Sequence, residues 1–148
     1  MRRYLTPLAA SAVLCAAAVA WADPLPSTTY EGRSSQKKPV SVRTSADGLE
    51  LRRFRITRVF DCGAGSEPVT GTFRQTGGAI RVNARGRFRG RGRVEGVRGG
   101  QIRSGKFRFR GRFGRRGRVA VGVYRERVEL RNGTECGTGR VTFRVRAR

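Results

Sequence analysis

Phe107, Phe109 and Phe113 alternate with Lys106, Arg108, Arg110 and Arg112, and this period of two between apolar and cationic positions recurs along most of the chain. Side chains on a strand point to opposite faces in turn, so a core that takes the phenylalanines leaves a row of cations in water. Upstream, residues 29–33 and 39–43 read as two strands around a polar loop at 34–38, and Ala46-Asp47-Gly48 supplies a tight turn. Leu49, Leu51, Phe54, Ile56, Phe60 and Cys62 mark a third strand whose parity slips at Arg52-Arg53, the signature of a bulge. Arg58 falls on the inward parity of that strand, which predicts either a place near the sheet end or compensation by Asp61 or Glu67.

After a loop at 63–68, residues 69–75 form the next strand, expected to pair as a hairpin with Ile80 onward through Thr76-Gly77-Gly78. Residues 80–96 alternate without a slip, with Ile80, Val82, Phe88 and Val94 on one face among glycines and arginines on the other. At about 3.3 Å per residue that stretch is too long for one strand of a small domain, so turns are expected at 83–86 and 90–92. Arg98-Gly99-Gly100 and residues 114–117 are further turn signals. Val119, Val121 and Val123 read as an inward set that a slip near Arg125 moves to Val128 and Leu130, and Val141, Phe143 and Val145 line a last strand. The prediction is an all-β fold, an antiparallel β-sandwich or flattened β-barrel of about eight to ten short strands, preceded by a signal-peptide helix.

That helix is read from the first 22 residues. Met1-Arg2-Arg3 is a basic start, residues 8–20 are apolar and alanine-rich, and small residues allow cleavage after Ala20 or Ala22. The run is too short and weakly hydrophobic to span a bilayer. Cys15 raises lipidation, but Leu14 stands where a lipobox needs a small residue. Arg2-Arg3 is a thin twin-arginine signal, and the general export route fits better. The domain plan is therefore a signal peptide at 1–22, a linker at 23–28 and a single β-domain at 29–148, secreted or held in the cell envelope with no transmembrane anchor after processing.

Beyond the signal, two cysteines remain. In an exported chain an even pair predicts a disulfide, here Cys62 with Cys136. Closing that separation restricts the unfolded chain by roughly 4 to 4.5 kcal/mol in the loop-entropy model. Histidine is absent and neither cysteine has another beside it, so no metal site or cofactor is expected.

The order of these strand and turn features is similar to one known group. Thr29-Tyr30-Glu31-Gly32 with Ser34-Ser35-Gln36, a lone cysteine after the third strand, Ile80 and Val82 then Gly86 and Phe88, and Cys136-Gly137-Thr138-Gly139 before the last strand together resemble a family of uncharacterised small exported all-β proteins of GC-rich bacteria. Its members usually carry an aromatic in the last strand, where Phe143 stands here. The resemblance implies a fold and an exported location, and transfers no activity and no catalytic residues.

Charge adds the functional expectation. Losing Arg2 and Arg3 takes the formal charge from +23 to +21, and only Lys37, Lys38 and Lys106 among the cations are lysines. A GC-rich genome favours arginine on its own account, yet the charge attracts polyanions whatever its origin. Arg85-Gly86-Arg87-Phe88-Arg89-Gly90-Arg91-Gly92-Arg93 is similar to disordered RNA-binding repeats, but its alternation is too regular for a disordered tail. Arg81, Arg87, Arg89, Arg108, Arg110, Arg112, Arg144 and Arg146 are the candidate anion-binding residues, since guanidinium groups grip oxyanions bidentately. The partners to expect are a wall polymer, an acidic polysaccharide, extracellular DNA or an anionic lipid surface, met by a monomer; the competing reading of the same arginines is a solubilising coat.

No serine has a histidine base, so no triad is present and no catalytic residue is assigned. The competing functions are a small hydrolase-like envelope enzyme using Asp61, Glu67, Glu126, Glu129 or Glu135 near the disulfide, as a calcium site or a glycosidase-like pair, and a secreted inhibitor or effector that binds another protein. Those acids equally offset arginines such as Arg58, Arg127 and Arg131. Asn132-Gly133-Thr134 matches a glycosylation acceptor but is first a hairpin turn.

Overall fold

A computed structural model describes residues 24–75, 78–96, 100–114 and 116–148; the expected signal segment, with Cys15 and both candidate cleavage points, lies outside them, as does most of the turn expected at 98–100. The period of two is realised as ten antiparallel strands, and the fold is all-β. They are β1 (Thr29–Ser34), β2 (Pro39–Thr44), β3 (Glu50–Phe60), β4 (Val69–Arg74), β5 (Ile80–Arg81), β6 (Arg87–Glu95), β7 (Ile102–Phe113), β8 (Val119–Leu130), β9 (Glu135–Gly137) and β10 (Val141–Ala147). One continuous sheet runs β4-β3-β2-β1-β10-β8-β7-β6, with β5 also on β3 and β9 also on β8.

The sheet curls into a half-barrel, because strands far apart along this path meet through their inner faces. Phe54 of β3 stacks on Phe109 of β7 with ring centroids 4.2 Å apart, and Phe73 of β4 lies 4.4 Å from Phe107 of β7. Such pairs gain both apolar burial and ring–ring attraction. The bulge read at Arg52-Arg53 is present: Arg43 faces Arg53 while Thr44 faces Leu51, leaving Arg52 as the extra residue.

Glycines in the arginine-rich strands have a packing role. Phe88 lies opposite Gly111, Phe109 opposite Gly90, Phe107 opposite Gly92, and Phe143 opposite Gly122. A Cβ on Gly111 would come 2.4 Å from the Phe88 ring, and one on Gly122 would come 2.4 Å from the Phe143 ring. Each ring therefore lies over the bare backbone of its neighbour, which is how a strand reading Arg-Gly-Arg still closes a core. The turn expected at 90–92 is not made; β6 passes through it, and the chain turns at 83–86, where Gly86 N–H donates to Asn83 and adopts φ +65°.

Two other expectations change. β4 and β5 do not form a hairpin with each other: β4 pairs with residues 55–60 of β3 and β5 with Glu50 and Leu51, so both follow the same edge of β3 in turn. On β8 there is no slip near Arg125. Ala120, Tyr124, Glu126 and Val128 are buried on one unbroken parity, and the valines at 119, 121 and 123 belong to the outer face. The valines' high β-propensity suits either face of a strand, and an inward glutamate was the true mark of the register.

Residues 24–28, expected as an extended linker, turn and pack on one end of the barrel. Leu25 contacts the main core, its N–H donates to the Tyr30 hydroxyl at 2.9 Å, and its carbonyl accepts from the Thr44 hydroxyl at 2.6 Å. Tyr30 in turn donates to the Gly117 carbonyl at 2.6 Å, tying that end to the β7–β8 turn. At the other end a smaller apolar cluster of Phe60, Val128 and Cys136 is closed by the Cys62–Cys136 disulfide.

Candidate anion-binding face

Between the two apolar clusters lies a polar layer. Arg58 of β3 faces inward and pairs bidentately with Glu126 of β8, Nε to Oε2 at 2.6 Å and Nη2 to Oε1 at 2.8 Å, with the two side chains 3% and 0% exposed. Neither Asp61 nor Glu67, the partners expected for Arg58, takes part; both are exposed. The Tyr124 hydroxyl donates to the same carboxylate, Glu126 N–H donates to Thr138 Oγ1 at 3.0 Å, and the guanidinium lies 4.9 Å from the Phe60 ring centre. Gly71, opposite Arg58 on β4, leaves the room it needs: a Cβ there would stand 3.1 Å from Nη1. A buried charge pair needs further hydrogen bonds to offset its desolvation, and the Tyr124 hydroxyl supplies one to the carboxylate.

Glu126 sits between Arg125 and Arg127, so anchoring it inward turns both arginines out. The antiparallel register then lines up cations on three strands. Arg87 faces Arg112, Arg89 faces Arg110, Arg91 faces Arg108 and Arg93 faces Lys106; across the next ladder Arg108 faces Arg125 and Lys106 faces Arg127. These ten side chains are all exposed. Neighbours stand about 4.8 Å apart across strands and about 6.7 Å apart along them at their roots. Among the described residues none of the ten is in an ion pair, whereas carboxylates elsewhere are engaged: Glu50 with Arg52, Glu129 with Arg103 and Glu31 with Arg148. Like charges directly opposite in a sheet repel, and solvent only partly screens them.

Of the eight arginines expected to bind anions, Arg87, Arg89, Arg108, Arg110 and Arg112 lie in this grid. Arg81 on β5 joins Arg87, Arg89, Arg110 and Arg112 around one shallow open depression. Arg144 and Arg146 lie on β10, separated from the grid by Val121 and Val119 of β8. Sequence reasoning omitted Arg91, Arg93, Lys106, Arg125 and Arg127. The first three share the parity of their neighbours and were open to the same logic; the last two join only through the β7–β8 pairing.

Of the five acids near the disulfide two are held by arginines, and Asp61, Glu67 and Glu135 are exposed. Glu126 belongs to Arg58, Glu129 to Arg103, and an Asp61 carboxylate oxygen accepts from Gly63 N–H at 2.9 Å. Glu67 lines an open groove of about 600 Å³ with Cys62, Ser66, Gln101 and Asn132. Asn132-Gly133 forms the expected turn, with Gly133 at φ +84°. Among the described residues no three metal-capable side chains cluster, and no helix is long and apolar enough to cross a membrane.

Tyr30 and Tyr124 are both buried. Burial first, then the Glu126 charge and hydrogen bond, hold the Tyr124 proton on well above the ordinary phenol range, and burial raises Tyr30 as well. A raised folded pKa contributes stability that is complete below the unfolded value of about 10 and is withdrawn as pH climbs above it. In the chain lacking residues 1–22, the phenolate absorbance band is therefore expected to appear only together with unfolding. A reversible phenolate titration near pH 10, with the fold intact, is the contrary result.

Compared with protein-family models, curated proteins and solved structures, the chain matches none.

Proposed function

We propose that this chain is an exported, monomeric, non-catalytic β-domain that binds anionic polymers of the cell envelope or its surroundings through the outer face of β6, β7 and β8. The observation that carries the reading is the register: cations face cations in six cross-strand pairs on three adjacent strands, and the acids of that face, Glu95 and Glu129, stand beyond them at one end, opposite Ser104. Such a surface relieves its own repulsion only by taking up counterions, and a polyanion that displaces many small ions gains their release. The disulfide suits an oxidising compartment.

Binding to polyphosphate or heparin across a salt series tests this. Arg108, Arg110 and Arg112 changed together to Ser should reduce the slope of log affinity against log salt by roughly two. Arg43, Arg53 and Arg74 changed to Ser remove the same charge from exposed positions of β2, β3 and β4 and should leave the slope near that of the parent. Equal losses in both variants would reduce the arginines to a solubilising coat.

A further inference from the structure

The outer face of β8 is not uniformly polar. Val119, Val121 and Val123 form an apolar stripe along it; Val121 is 38% exposed, and it and Leu49 are the large hydrophobic residues that stand exposed among the described residues. The register surrounds this stripe with arginine. Val123 faces Arg110 on β7, Val121 lies between Arg112 on β7 and Arg144 on β10, Val119 faces Arg146, and Arg125 follows Val123 along the strand. Val123 also lines the depression that Arg87, Arg89, Arg110 and Arg112 surround.

A soluble polymer of phosphates or sulfates has no use for the valines. A layer of anionic lipid has use for both parts: headgroup phosphates lie at the level of the guanidinium groups, and the apolar rib between them reaches the start of the acyl region, with the arginine stems spanning the two. Basic side chains near an anionic leaflet each add on the order of 1 kcal/mol of attraction. From this juxtaposition we infer that the face formed by β7, β8 and β10 docks on an anionic phospholipid surface, with Val121 at the centre of the contact. The inference rests on the polyanion reading of the same arginines and narrows its ligand to phosphate-bearing lipid.

Co-sedimentation with vesicles of phosphatidylcholine alone, and of equal parts phosphatidylcholine and phosphatidylglycerol, tests it beside a parallel titration with soluble polyphosphate. The mixed vesicles should bind and the neutral ones should not. Val121→Ser with Val123→Ser should weaken vesicle partitioning about tenfold through lost apolar contact and leave polyphosphate affinity unchanged, with the urea unfolding transition retained to show that the variant is folded. Vesicle binding that ignores the valine changes, or polyphosphate binding without vesicle binding, overturns the lipid inference while the polyanion reading stands. Binding to neither overturns both. Self-association of the parent that the valine changes abolish would also overturn it, by giving the stripe to a second copy.

Discussion

Changing Glu126 to Ala is expected to cost about 3–5 kcal/mol of folding stability. The loss is large because it strands two groups at once. Arg58, 3% exposed, keeps a full charge with no counter-ion, and the Tyr124 hydroxyl loses its acceptor. The expected magnitude belongs to the unpaired charge, not to the attraction between the partners: desolvating both ions offsets most of that attraction. Arg58→Met combined with Glu126→Leu removes both charges and fills the layer with apolar atoms, so the double variant should be more stable than Glu126→Ala. Urea unfolding midpoints of the three proteins decide it. A Glu126→Ala loss below about 1 kcal/mol would mean that water reaches the pair.

Breaking the disulfide is the second large effect. Cys62→Ser with Cys136→Ser should destabilise the chain by about 4.5 kcal/mol in the loop-entropy model, within a measured range of roughly 2–5 for such bridges. A domain of this size holds about 5–15 kcal/mol in total, and its charge of +21 without residues 1–22 works against compactness. The bridge closes the smaller apolar cluster beside Phe60 and Val128, so that end should open first. Added salt should restore part of the lost stability by screening the cations. A bridgeless variant with an unchanged urea midpoint would show that the smaller cluster holds without it.

Strand identity was legible wherever apolar and cationic residues alternated cleanly, as in β7, and the bulge of β3 was legible because its parity jumps at Arg52-Arg53. Strand order was not, since nothing local in residues 69–81 says that β4 and β5 share an edge of β3. The buried layer was visible as two separate anomalies. Arg58 stood on an inward parity, and taking the valines of β8 as inward required a slip to bring Val128 and Leu130 into the core. The two residues lie 68 apart in the chain, and only as a pair do their opposite charges explain each other. Treating them as one feature would have set the parity of β8 and placed Arg125 and Arg127 in the cationic grid. Local propensity pointed the other way because valine suits either side of a strand.

Amide hydrogen exchange across residues 87–113 tests most directly whether the arginine-glycine run is folded with rings over glycines. Residues 106–112 of β7, paired on both sides, should exchange only through near-global opening, with β6, paired on one side, somewhat faster. Exchange at free-chain rates throughout that stretch would contradict it, and the cationic grid would fall with it.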